Sequence, residues 1–138
     1  MRTPLLLIAA VSIAACTAVP LGNPLAGTSW RLLSVVDAGA AVADVPPDEV
    51  SFDEAERGVR VRSCNSCAGL YAVGDRTLEI TRLACTRRAC PGRLELDRYL
   101  AGRARWRIDG GNLVLTVSDP LNGIDAVLTF EPAEASGS

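Results

Sequence analysis

The chain has 138 residues, with 14 basic and 16 acidic side chains and no histidine; every basic residue is arginine. That length suits one domain, and a formal net charge of −2 argues against a nucleic-acid binder. Without histidine there is no Ser-His-Asp triad, no Cys-His dyad and no imidazole ligand for a catalytic metal.

The N-terminus comes first. Arg2 is followed by an apolar run, Leu5 to Ala15, broken only by Ser12. Eleven or so residues are too few to span a bilayer and fit a secretory signal peptide. The run ends Ile13-Ala14-Ala15-Cys16, which looks like a bacterial lipobox. That resemblance implies cleavage after residue 15 and acylation of Cys16. Residues 1–15 are then a lipoprotein signal peptide, and 16–24, with two prolines and a glycine, a lipidated tether. Loss of Arg2 would make the net charge −3. Thr17 follows the cysteine where aspartate would favour inner-membrane retention, so the resemblance points to an outer-membrane lipoprotein facing the periplasm.

The folded part reads mostly as strands. Gly27 to Val36 is rich in β-formers towards its end. Asp37 to Asp48 is Ala/Gly/Pro-rich and predicts a loop. Val50 to Phe52 is a short strand. Val59-Arg60-Val61-Arg62 alternates strictly, as a half-buried antiparallel strand does. Leu70–Val73 and Thr77–Ile80 flank Gly74-Asp75, expected as a type II′ turn. Pro91 to Gly102 is the one helix candidate, with Leu96, Tyr99, Leu100 and Arg103 at helical spacing. Trp106 and Ile108 alternate with arginines, Asp109-Gly110-Gly111-Asn112 predicts a hairpin, and Leu113, Leu115 and Val117 return. Asn122-Gly123 predicts a second turn before Ala126, Leu128 and Phe130. The expected fold is α+β, mostly antiparallel β: a small, partly open, barrel-like sheet curled over one helix. Trp30, Tyr71 and Trp106 are expected to carry much of the packing. The domain would span 25–131, with a flexible tail at 132–138.

Four of five cysteines lie between Cys64 and Cys90. Cys64-x2-Cys67 with Cys85-x4-Cys90 suits two disulfides in an oxidising compartment or a zinc knuckle in a reducing one. An exported chain favours disulfides and no metal. Four cysteines allow three connectivities. Pairing 64 with 67 and 85 with 90 would tie nothing distant together. The stretch from Arg82 to Arg107 holds eight arginines and only two acids, Glu95 and Asp97. It is either a solvated face or a patch for an anionic partner, with Arg87, Arg88 and Arg93 as candidate residues.

The ordered set Gly27-Thr28-Ser29-Trp30, Cys64-Asn65, Gly69-x-Tyr71 and Thr86-Arg87-x-x-Cys90, then a helix and a closing Trp106-to-Phe130 region, resembles the META domain of HslJ-like heat-shock envelope lipoproteins. Ser63 departs from the family's usual glycine, and Cys67 and Cys85 are an extra pair. The resemblance implies a small β-rich fold, an envelope location, links to stress tolerance and no established catalytic residues. Members with two cysteines carry them at the positions of Cys64 and Cys90. By that resemblance Cys64 pairs with Cys90 and Cys67 with Cys85, nested. Such nesting also suits neighbouring segments that run in opposite directions.

The function expected is non-enzymatic, without a cofactor: a monomeric, lipid-anchored envelope protein that binds or supports another envelope component. Its partners would be the membrane, through the lipid, and an envelope protein or other anionic partner, but not nucleic acid. The alternative is an envelope thiol-disulfide oxidoreductase using Cys64 and Cys67.

Overall fold

The computed structural model describes residues 22–55 and 57–133. The signal peptide, Cys16, most of the tether and most of the tail lie outside the described residues.

Nine strands follow in order: β1 (Ser29–Asp37), β2 (Ala40–Ala41), β3 (Glu49–Phe52), β4 (Gly58–Arg62), β5 (Ser66–Val73), β6 (Thr77–Cys85), then, after a short helix, β7 (Gly102–Asp109), β8 (Asn112–Asp119) and β9 (Ile124–Pro132). All pairings are antiparallel. The sheet is closed, not partly open. β1 pairs with β9 from Trp30↔Pro132 to Asp37↔Ala126, which joins the two ends of an eight-strand barrel. β2 pairs only with the far end of β1, beyond the reach of β3.

Alternation explains the core. Val59 and Val61 on β4 point inward and Arg60 and Arg62 outward. Leu113, Leu115, Val117, Ala126, Leu128 and Phe130 line the opposite wall and are all buried. Eight strands leave an interior just wide enough for side chains to fill. The two mouths are plugged differently. At one, Leu25 is fully buried beneath the N-terminal turn, and Gly27 N–H donates to the Phe52 carbonyl. At the other lies helix α1 (Leu96–Leu100), whose Leu96 and Leu100 are buried.

The helix is far shorter than the expected Pro91-to-Gly102 segment. Its N-cap is Glu95, which makes no side-chain cap bond, and Gly102 already pairs with Ile80 in the barrel. One turn of helix is marginal in isolation and persists here because its two leucines are buried. The architecture is therefore a β-barrel with a helical stopper, not a sheet wrapped over a helix.

Two turns separate expectation from outcome. Gly110 and Gly111 have φ of 56° and 84°, the left-handed pair that a two-residue type I′ hairpin requires. The other expected turn is displaced by one residue. Gly74 pairs with Thr77 (N–H to O, 2.8 Å) and the loop residues are Asp75 and Arg76. Gly74 lacks the positive φ of a type II′ turn.

Gly69 has a different role. β6 bulges between Thr81 and Ala84, and Arg82 takes φ of 53°. A Cβ on Gly69 would lie 2.8 Å from the Thr81 carbonyl oxygen and 3.1 Å from the Leu83 Cα. Both are backbone atoms, so the clash cannot be relieved by a rotamer change. Gly69→Ala is expected to destabilise the domain by about 2 kcal/mol. Urea unfolding measures this, and an unchanged midpoint would mean that the bulge relaxes freely.

Candidate functional site

Each recognisable motif serves the scaffold. Thr28 Oγ1 donates to the Leu25 carbonyl (2.6 Å) and accepts from Trp30 Nε1 (2.7 Å), which fixes the N-terminal plug to the first strand. Ser29 meets Ser51 across β3 (3.1 Å). Tyr71 is buried against Phe52, with ring centroids 4.9 Å apart in an edge-on contact. Its hydroxyl donates to the Asp53 carbonyl (2.7 Å) and accepts from Asn23 Nδ2 (3.0 Å). Burial pushes the Tyr71 phenol above its usual range, with the nearby Asp53 charge acting in the same direction. Tyr99, also raised by burial, donates to Asp37 Oδ2 (2.9 Å) and ties α1 to the end of β1.

The cysteines hold the crossover that carries α1. Cys67 and Cys85 are directly opposed on β5 and β6, with Cα atoms 4.1 Å apart, and are bonded. Cys64 is bonded to Cys90, with Cα atoms 6.4 Å apart. The bridges are nested, the inner across the ladder and the outer just past its end. Asn65 works beside them. Its Oδ1 accepts from Arg88 N–H (2.7 Å) and Thr86 Oγ1 (3.1 Å), and Thr86 Oγ1 accepts from Ser66 N–H (3.1 Å). Asn65 and Thr86 therefore staple the first residues of the crossover to β5. Cys64 and Cys67 each bond to a different partner, so Cys64-x-x-Cys67 is not the dithiol unit that the redox alternative needs. Asp97 Oδ2 lies 3.8 Å from the Cys85 sulfur. These two groups and Cys67 would form a three-ligand cluster only with thiolates, which the bond between the sulfurs precludes.

The arginines differ in how their charges are used. Arg87 and Arg88 are exposed on the crossover. Arg93 instead turns to Asp48, Nη2 to Oδ1 at 3.0 Å, where the carboxylate is almost completely buried. Of the expected trio, Arg93 therefore has its charge partnered by a buried carboxylate. Arg103 pairs with Glu79 and Arg107 with Asp109.

A second cationic cluster lies at the opposite mouth. Asp75, Arg76, Arg105, Trp106, Arg107 and Thr116 line an open groove of about 580 Å³. Trp106 is only half-buried here, with its indole N–H on the Gly74 carbonyl (3.2 Å), so it forms a groove wall more than core. Arg76 falls outside the arginine-rich stretch and had no sequence signal of its own. Only the strand register brings it beside Trp106.

A closed antiparallel barrel, plugged at both mouths and crossed by a doubly bridged segment, defines a small β-barrel domain whose interior holds a packed cluster of apolar side chains. The chain belongs to the META domain family, whose model matches residues 23–133. Two solved structures are similar to it. One is an NMR structure of a protein from Burkholderia xenovorans, 26% identical, with a TM-score of 0.63, covering 92% of this chain and 99% of that one. The other is also an NMR structure, 26% identical, with a TM-score of 0.61, covering 82% and 95%. A search of curated proteins gives no match to the chain.

Proposed function

We propose that this is a lipid-anchored protein of the bacterial cell envelope that acts through its outer surface, by binding or structural support and without catalysis. The observation that carries the reading is the filled barrel. Leu25 blocks one mouth and Leu96 with Leu100 the other, so the interior is packed core and not a ligand pocket. The family's shared residues are used in caps, bulges and bridges, which leaves the exterior for function. Membership of the META domain family supports an envelope setting, and resemblance to its heat-shock members supports a role in stress tolerance. The lipobox-like Ile13-Ala14-Ala15-Cys16 supports a lipid anchor, and Thr17 supports sorting to the outer membrane.

Mass spectrometry of protein extracted from membranes tests the anchor. The expected species begins at an acylated Cys16. An intact Leu5-to-Ala15 segment, or an unmodified Cys16, would overturn it. Two acyl chains or more would hold the domain stably on the bilayer, whereas one would not.

A further inference from the structure

The β7–β8 hairpin outruns the β5–β6 hairpin beside it. The β6–β7 ladder runs only from Ile80↔Gly102 to Thr77↔Arg105, whereas β7 pairs with β8 as far as Asp109↔Asn112. One further bond, Trp106 N–H to the Arg76 carbonyl (3.0 Å), closes the contact with the first hairpin. In an antiparallel ladder, a residue's N–H and C=O face the same neighbour and alternate along the strand. Trp106 faces β6, so Ile108 does too. Among the described residues no part of β6 extends far enough to meet it. The backbone of Ile108 is therefore an open strand edge, and its side chain is 49% exposed.

The groove adjoins this edge where β6 stops, over Arg76 and Arg105 to Arg107. Arg105 and Arg107 stand on the outer face of β7, two residues apart, and Trp106 and Ile108 on the other. Arg105 and Arg76 make no ion pair among the described residues. Arg107 holds only the exposed Asp109, a surface pair worth about 0–1 kcal/mol and easily exchanged. Among the described residues Asp75 is the one acid in the lining.

We propose that the free edge of β7, from Arg107 to Asp109, binds an extended acidic peptide segment of another protein by strand addition. Backbone bonds to Ile108 would supply the pairing and guanidinium–carboxylate bonds the selectivity. The alternation dictates the ligand's pattern. Thr77 already stands opposite Arg105, so the added strand begins opposite Arg107: an acidic side chain there would meet Arg107 directly and Arg105 diagonally, and the residue opposite Ile108 would be apolar. The inference deepens the surface-binding reading. It does not depend on the lipid, so its failure would leave the Cys16 mass measurement untouched.

The test uses the full-length protein in detergent and a six-residue blocked peptide alternating aspartate and valine, titrated by NMR or calorimetry. Binding should shift the amides of residues 105–109 and weaken by about tenfold or more in Arg105→Glu. It should also weaken as salt rises. Ile108→Pro removes the N–H at the open edge together with the isoleucine side chain, a substitution that edge strands accept, and should abolish binding. Should that variant not fold, the wild-type protein with a backbone N-methylated peptide makes the same test, and binding should again be lost. Equal binding of the N-methylated peptide, or full competition by acetate or phosphate at the peptide's own concentration, would reduce the groove to an anion site and overturn the proposal. No binding at all would mean that the arginines only guard the edge against pairing, which overturns it equally.

Discussion

Changing Cys64 and Cys90 together to alanine is expected to lower the unfolding free energy by about 2.5 kcal/mol, and removing all four bridge cysteines by about 6 kcal/mol. The separations are 26 and 18 residues, worth about 3.5 and about 3.2 kcal/mol if each bridge acted alone, or about 6.7 kcal/mol for two independent bridges. Nesting makes the sum smaller. Once Cys67 and Cys85 are joined, the outer bridge closes only the short ring formed by 64–67 and 85–90. Ring closure costs less entropy as the ring shrinks, so the second bridge restricts the unfolded chain less than the first. The inner pair should cost slightly more to remove, about 3 kcal/mol, because the Cys67 side chain is also buried in the core. Domains of this size are stable by about 5–15 kcal/mol, so the four-cysteine variant should lie close to unfolding. Urea melts of the three variants check this. A loss in the quadruple variant equal to the full sum of the isolated bridges would refute the nested accounting. Hydrogen exchange adds a second readout. Without the outer bridge, amides of the crossover from Thr86 to Glu95 should exchange faster while β8 and β9 stay protected.

The second large effect centres on Asp48. Its carboxylate is almost fully buried and is held by two groups, Arg93 (3.0 Å) and Ser63 Oγ (2.7 Å). Its own carbonyl accepts from Leu32 N–H (2.7 Å). One residue thus joins β1, the β4–β5 turn and the crossover. Arg93→Ala leaves a buried carboxylate with one neutral donor and should cost about 3 kcal/mol; full burial would cost more, but the guanidinium itself is part-exposed. Asp48→Asn keeps a side chain that can still bond Ser63 and should cost less. The double variant should then lose less than the sum of the singles, with a coupling of about 1 kcal/mol or more. A coupling near zero in denaturant melts would show that the pair is no stronger than an ordinary surface contact.

Period-two patterning was enough to read β4, β8 and β9, because their inward residues are apolar and most of their outward ones, Val114 and Val127 apart, are polar. Val59-Arg60-Val61-Arg62 is legible without any partner strand. So was the Gly110-Gly111 hairpin, since two left-handed residues in succession have few other uses. Helical spacing between Pro91 and Gly102 misled. The same leucines that suggest a long amphipathic face serve as a stopper for a barrel mouth, and a pattern of three or four residues cannot report how far a helix continues. Closure of the sheet was not visible either. It rests on β1 meeting β9 across about 90 residues of chain, and alternation in each strand is the same whether the edges join or stay apart.

The candidate sites divide in the same way. Local composition marked the cysteine stretch and the arginine-rich segment, because both are runs of chemically distinct side chains. The nested pairing came from resemblance, and the direct opposition of Cys67 and Cys85 follows from the β5–β6 register. The fate of each arginine was a tertiary decision. Arg93 faces a buried carboxylate from a loop 45 residues earlier, while Arg76, Arg105 and Arg107 meet where one hairpin outruns another. The sequence by itself determined which residues are apolar, charged or able to cross-link, since those are properties of single side chains. Only the tertiary structure decided which charges are neutralised and which strand edge is left open, because both depend on register between segments distant in the chain.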